Sequence, residues 1–159
     1  MTSSRVDFDL DIDLFFPMIP EEDILKNVLT RELFNYFLKE GFKVVAARDV
    51  DGFEAPPAFR NDGYGDQQPK RPDIVGYHPI DKSYMIGIAR TGIHDFESES
   101  SLTEYNVFLD QRDKTTNEPF KLCIIAPASK LDELTTLITR YIHPDYYPSI
   151  VFLRSSKCD

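Results

Sequence analysis

The stretch RPDIVGYHPIDKSYMIGIART, residues 71–91, determines the fold class because it contains two strands joined by a short connection. Residues 74–78 and 83–89 are rich in β-branched and aromatic side chains, which favour strands. The residues between them, 79–82, begin with proline and match the length of a hairpin connection. We therefore predict a hairpin over residues 74–89.

The segment before the hairpin predicts a helix, a strand and a long loop. Pro20 and the three acidic residues after it are typical of a helix start, and Gly41 is typical of a helix end. Residues 42–49 then predict a strand. Residues 50–70 are rich in Gly, Pro, Asn and Asp, and they predict a loop of the kind that is often functional or mobile.

The segment after the hairpin predicts a helix, a strand, a helix and a strand. The first of these helices is expected to begin at Ser100 or Ser101, and the second at a capping box formed by Ser129 and Asp132. The whole order, αβββαβ plus a further helix and strand, predicts an α/β domain with a central mixed β-sheet flanked by helices. The last two strands are expected at residues 121–128 and 149–153.

The acidic residues are concentrated near the N-terminus. The net charge of the 159-residue chain is −9, and residues 1–23 hold seven acids and one base. Within this region VDFDLDIDLFF, residues 6–16, alternates acidic and apolar side chains with the period of a strand. We expect residues 1–19 to form an edge strand with a charged face, or an acidic arm that adds to a partner's sheet. Residues 20–159 are expected to form a single domain.

Composition also limits the cellular compartment and the classes of binding partner that are expected. Cys123 and Cys158 do not make a disulfide framework, and no signal pattern or membrane-length apolar run is evident, so a cytoplasmic protein is expected. An acidic chain argues against tight non-specific binding of nucleic acid, which depends on neutralising phosphates. A small basic cleft would still allow weak binding.

Three motifs together resemble the PD-(D/E)XK nuclease superfamily, which has the restriction-endonuclease-like fold. They are KEGFKVV at 39–45, RPDIVGYHP at 71–79 and MIGIART at 85–91, and the resemblance spans roughly residues 20–153. It implies that three elements meet at one end of the sheet. These are an acid on the first helix, the Asp of Pro-Asp, and an acid-x-lysine motif on the third strand.

The resemblance assigns these positions residue by residue. Asp73 matches the metal-binding Asp, Glu32 matches the helix acid, Ile88 stands where the second metal-binding acid belongs, and Arg90 replaces the lysine. Isoleucine cannot bind Mg²⁺, and a guanidinium stays protonated and cannot act as a base. Glu32, Asp73 and Arg90 are therefore expected to form a vestigial catalytic site, in which Arg90 pairs with Asp73 in the place of a metal.

Two functions follow from this degenerate motif. The first is an inactive nuclease-like domain, without a cofactor, that acts as a binding module for a protein partner, a further copy of itself or nucleic acid. The alternative is an active Mg²⁺-dependent DNA endonuclease in which the second acid is displaced. In that case Glu97 or Glu104, just beyond the third strand, would join Asp73 as a metal ligand.

Basic residues near the expected site suggest how nucleic acid would be held. We expect a rim formed by Arg48, Lys70, Arg71 and Arg90, with Arg60 close by. Arginine can bind a phosphate through two hydrogen bonds at once. A solvated surface of mixed charge is the competing interpretation of the same residues.

Overall fold

The computed structural model describes residues 20–60 and 68–159 of the chain. The predictions for residues 1–19 lie outside the described residues, as does part of the loop predicted at 50–70. None of the helices in the described part is long and apolar enough to cross a membrane.

The described residues form a mixed sheet of five strands. The strands lie side by side in chain order, with the first three antiparallel and the last three parallel. The predicted hairpin is confirmed, and it pairs Ile74 with Gly87 and His78 with Ser83. The strand bounds are β1 Lys43–Ala47, β2 Ile74–His78, β3 Ser83–Ala89, β4 Lys121–Ala126 and β5 Ile150–Arg154.

Three α-helices accompany the sheet within the described residues, which confirms the predicted α/β class. They are α1 Glu21–Lys39, α2 Glu99–Leu109 and α3 Leu131–Tyr141. Two short 3-10 helices, Ala128–Lys130 and Pro144–Ser149, precede α3 and β5.

Both predicted helix caps are wrong. The N-cap of α2 is Ser98, whose hydroxyl accepts a hydrogen bond from the Ser101 N–H at 3.1 Å. The predicted capping box at Ser129 and Asp132 does not form, because Ser129 lies inside the 3-10 helix and no side chain caps α3. The chain therefore enters α3 through a tightened turn, which satisfies the Lys130 N–H with the carbonyl of Pro127.

The helices cover opposite faces of the sheet. Leu29, Leu33 and Phe37 of α1 pack with residues of β1 to β4 such as Ile74 and Ala89 in one buried cluster. The second cluster contains side chains of α2 and α3 together with alternate residues of β3 and β4. Among its members are Ile86, Ile88, Tyr105, Phe108, Ile124 and Leu134.

The close approach of α1 to the sheet depends on glycine at position 76. A Cβ atom at this position would lie 2.7 Å from the Cδ2 atom of Phe37 and 3.3 Å from the Cβ atom of Phe42. We expect Gly76→Ala to lower the free energy of unfolding by about 2 kcal/mol, as overpacking of a core does. Urea denaturation checks this, with Val45→Ala on the exposed side of β1 as the control. An unchanged midpoint for Gly76→Ala would contradict the packing of Phe37 against β2.

Candidate functional site

Asp73 lies at the start of β2 and against the end of β3. Its N–H donates to the carbonyl of Gly87 at 3.0 Å, and its Oδ2 atom accepts from the N–H of Ala89 at 2.9 Å. The residue is buried, with 2% of its surface exposed. One carboxylate oxygen is therefore committed to holding the two strand ends together.

The other oxygen of Asp73 faces two cations. The Oδ1 atom lies 3.5 Å from Lys26 Nζ and 3.5 Å from Arg48 Nη1. It is buried and has no hydrogen-bond partner in the described part of the chain. These observations agree, because charges at 3.5 Å attract each other even where the distance or angle is poor for a hydrogen bond. The charge of Asp73 is thus balanced by a lysine and an arginine.

These groups line a cleft of about 610 Å³ between α1 and the start of β2, here called the Asp73 cleft. Lys26 and Arg48 are only partly buried, with 31% and 39% of their side chains exposed, so they form its accessible wall. Among the described residues, three acids and three bases line the cleft, so their formal charges balance. The lining residues are Asp23, Lys26, Asn27, Thr30, Arg31, Arg48, Asp49, Val50 and Asp73.

Arg90 does not pair with Asp73, so that prediction is wrong. Its guanidinium is buried and pairs with the carboxylate of Glu104 on α2. Its Nε atom donates to the Tyr105 hydroxyl at 3.4 Å, and its Cζ atom lies 5.3 Å from the centre of the Tyr105 ring. Burial alone lowers the pKa of Arg90, but Tyr105 and Glu104 outweigh it and hold the pKa above its usual value. Arg90 is therefore a permanent cation enclosed by α2.

The burial of Ile88 beneath α2 explains why the Arg90 side chain also lies on the α2 face of the sheet. The Ile88 side chain is 1% exposed and belongs to the cluster beneath α2, with Tyr105 and Phe108. Residues two apart on a strand point to the same face, so Arg90 follows Ile88 toward α2. The position where the motif has a metal-binding acid is instead a contact of the apolar core.

Glu32 is held by the C-terminal segment. Its carboxylate accepts hydrogen bonds from the Ser155 hydroxyl at 2.7 Å, the Ser156 N–H at 2.7 Å and the Ser156 hydroxyl at 3.0 Å. Glu32 lines a different groove, between α1 and the end of β5. The structure therefore assigns it a contact that fastens residues 155 and 156 to α1.

The contacts of Glu32 predict an acid-sensitive attachment of this segment. Burial raises the pKa of Glu32, but hydrogen bonds from Ser156 and Ser155 outweigh it, and the pKa lies below its usual value of 4.5. A carboxyl whose pKa is lowered by folding stabilises the protein above its unfolded pKa, and this stabilisation is lost as pH falls through the folded pKa. We expect Glu32→Gln to speed amide exchange of Ser156 at pH 7 and to have a smaller effect at pH 3.

The control for this prediction is Glu40→Gln, on the exposed end of the same helix. It removes one charge from the region without removing an acceptor of Ser155 or Ser156. Equal exchange rates of Ser156 in the wild type and Glu32→Gln at pH 7 would contradict the attachment.

The two acids expected as displaced metal ligands lie elsewhere. Glu104 pairs with Arg90, and Glu97 lines a shallow pocket with Asp132 and Glu133 of α3. Across residues 20–60 and 68–159, no three His, Cys, Asp or Glu side chains are grouped so that they could hold a metal ion. Neither Glu97 nor Glu104 therefore joins Asp73 as the second ligand that the alternative function requires.

The side chains of the predicted basic rim have different contacts, although Arg48 Nη2 lies 3.4 Å from the carbonyl of Arg71. Arg48 lines the Asp73 cleft, whereas Arg71 donates to the carbonyl of Pro56 at 2.8 Å and braces the loop before it. Lys70 exchanges two backbone hydrogen bonds of 2.8 Å with Phe59. Arg90 is buried against α2.

Sequence reasoning did not identify the polar wall that α1 contributes to the cleft. Asp23, Lys26, Asn27, Thr30 and Arg31 all line it. Their spacing of three or four residues marks one face of a helix, and this pattern was the available signal.

Comparison of the chain with protein-family models, curated proteins and solved structures gave no match. The likeness to the nuclease superfamily therefore rests on the motif residues and on the order of the elements.

Proposed function

We propose that this chain is a nuclease-like domain without phosphodiester-cleaving activity that acts by binding a protein partner through the Asp73 cleft. The observation that carries the proposal is the environment of the Asp73 Oδ1 atom, with Lys26 and Arg48 each 3.5 Å away. The sequence likeness and the mixed five-stranded sheet support a restriction-endonuclease-like fold.

The electrostatics of the cleft argue against bound Mg²⁺. The ion prefers several oxygen ligands in octahedral geometry and is usually held by one or two carboxylates. Here only the Oδ1 atom of Asp73 is not used by the Ala89 N–H, and a divalent cation beside it would meet Lys26 and Arg48. Each of them would repel Mg²⁺, and displacing them would leave their charges without the Asp73 carboxylate.

The balanced charge of the cleft favours a protein partner over nucleic acid. Phosphate backbones are bound by clusters of Lys and Arg, and affinity grows with the number of phosphates neutralised. Asp23 and Asp49 line the cleft together with Arg31 and Arg48, on a chain with a net charge of −9. A protein surface that carries charges of both signs could pair with both the acids and the bases of the cleft. Such charge pairs fix the orientation of the two proteins in a complex.

Cleavage and binding assays with fluorescent DNA test this proposal. Wild type and Asp73→Ala are incubated with duplex, branched and single-stranded DNA in Mg²⁺ or Mn²⁺, and anisotropy is measured from low to physiological salt. We expect no cleavage and no tight, salt-sensitive binding. Cleavage by the wild type that Asp73→Ala abolishes would overturn the proposal in favour of an active nuclease.

Tight DNA binding would overturn the protein-partner assignment in a different way. In that case affinity should fall steeply with salt and with Arg48→Ala. Arg140→Ala is a matched control, since Arg140 is exposed on α3 and away from the cleft.

A further inference from the structure

The edge strand β5 carries four consecutive apolar side chains. Within the described sheet β5 pairs only with β4, and its first four side chains, Ile150 to Leu153, are all partly exposed. Edge strands are usually protected by charges, prolines or bulges. Only Arg154, at the end of β5, is charged. This edge has the composition of a strand that is covered by another one.

The backbone of β5 also presents hydrogen-bond donors on this side. The Ser155 N–H donates to the carbonyl of Ala126 at 3.0 Å, so it points toward β4. Successive N–H groups of a strand point to opposite sides, so those of Phe152 and Arg154 point outward. The Ile150 N–H is used by the carbonyl of Tyr147. Two donors of β5 thus point away from β4.

A basic groove of about 670 Å³ lies beside this edge, between α1 and β5. Val28, Tyr36 and Leu153 give it apolar surface. Its one acid, Glu32, is already bound by Ser155 and Ser156. Its available cations are Arg31, Lys39 and Lys157, because the guanidinium of Arg154, which also borders the groove, bonds the carbonyl of Ala128 and pairs with Asp132 of α3. On a chain with a net charge of −9, this excess of positive charge favours an acidic occupant.

Residues 6–16 of the same chain have the matching pattern and the necessary reach. Asp7, Asp9, Asp11 and Asp13 alternate with apolar side chains, so an extended segment would have an acidic face and an apolar face. Asn27 and Val28 line the groove, about 11 Å along α1 from Pro20 at the usual helical rise. Residues 16 to 20, when extended, span up to about 13 Å.

We propose that residues 6–16 dock on the outer edge of β5, in parallel with it, as a sixth strand of the sheet. The four aspartates then face the basic groove, and the apolar side chains lie beside Ile150 and Phe152. The parallel direction follows from the position of α1. Its Lys26 lies 3.5 Å from Asp73, beside the end of β3, and its Glu32 bonds Ser155, just after β5, so α1 begins beyond the carboxyl ends of these strands. The docked segment shields the apolar edge from pairing with other molecules. This inference does not rest on the proposed function.

Amide hydrogen exchange of the full chain, followed by NMR, tests the proposal. We expect the outward amides of Phe152 and Arg154 to be protected in the wild type. Replacing all four aspartates of the segment by asparagine should weaken their protection roughly tenfold or more. The inward amides of Val151 and Leu153 should change little and serve as an internal reference. Replacing four exposed acids elsewhere, Asp51, Glu54, Asp81 and Glu118, by their amides is the matched control.

Reversing the charges of the groove and of the segment together tests whether the two contact each other. Arg31→Glu with Lys39→Glu should weaken the protection of Phe152, and adding Asp9→Lys with Asp11→Lys should restore much of it. Rapid exchange of both outward amides in the wild type would overturn the proposal. Protection that disappears on dilution, together with a dimer in sedimentation, would overturn it in favour of exchange of the segment between two copies.

Discussion

Replacing Arg90 by alanine is expected to lower the free energy of unfolding by about 3–5 kcal/mol, the usual cost of removing one partner from a buried ion pair. The substitution leaves the Glu104 carboxylate without its cation and removes a donor to the Tyr105 hydroxyl. Urea denaturation measures the change. Arg140→Ala, at an exposed arginine, should change the stability by less than about 0.5 kcal/mol.

A double variant separates the ion pair from the packing around it. Arg90→Met with Glu104→Gln removes both charges and keeps the volume of both side chains, so it should recover most of the stability lost in Arg90→Ala. A loss below about 1 kcal/mol for Arg90→Ala would contradict a structural role of Arg90 under α2.

Replacing Asp73 by alanine is the second large change, with an expected loss of about 3 kcal/mol. The variant leaves the buried N–H of Ala89 without its acceptor, which costs about 1–3 kcal/mol. It also leaves Lys26 and Arg48 to repel each other, although solvent screening makes this part small because both are partly exposed. Denaturation in buffer with a chelator measures the change without bound metal.

Whether replacing Asp73 stabilises or destabilises the protein distinguishes a metal-dependent nuclease from a domain without a metal site. In a metal site without its ion, neighbouring carboxylates repel each other, so removing one of them relieves repulsion and tends to stabilise the protein. Beside Lys26 and Arg48, the same removal destabilises it. Asp73→Asn keeps an acceptor for Ala89 and removes the charge, so it should cost less than Asp73→Ala, and its cost should shrink in high salt. A stabilising Asp73→Asn would contradict the cation pairing described above.

Patterns within short segments predicted much of the fold. The hairpin of β2 and β3 follows from two β-rich runs and a short connection, and β4 follows from one continuous apolar run. The caps failed because several serines stand between residues 98 and 101, and only the backbone geometry selects Ser98. At Ser129, the preceding proline and the 3-10 helix determine how the chain turns into α3.

The candidate site was harder to predict because its pairings join distant segments. Asp73 was found because the Pro-Asp motif marks it. The partners of Arg90 depend on which face of the sheet the side chains of residues 88 and 90 occupy. That face is the one on which α2 packs. The cations beside Asp73 come from α1 and from the residue after β1, 47 and 25 positions earlier in the chain. Local spacing carries no information about such contacts.

Ion pairs lie on both faces of the sheet at the ends of β2 and β3. Asp73 is balanced on the α1 side, and Arg90 is balanced by Glu104 on the α2 side. A restoring pair, Ile88→Glu with Arg90→Lys, would place a carboxylate in the apolar cluster beneath α2. Burying an acid among apolar residues is costly, so these two changes alone are not expected to rebuild a metal site.

Calorimetric titration of the wild-type chain with Mg²⁺ and Mn²⁺ tests the central claim most directly. Lys26 and Arg48 occupy the place beside Asp73, so we predict no saturable binding of either ion in the range of about 10⁻⁵ to 10⁻³ M. Saturable one-site binding that Asp73→Ala abolishes would contradict the account.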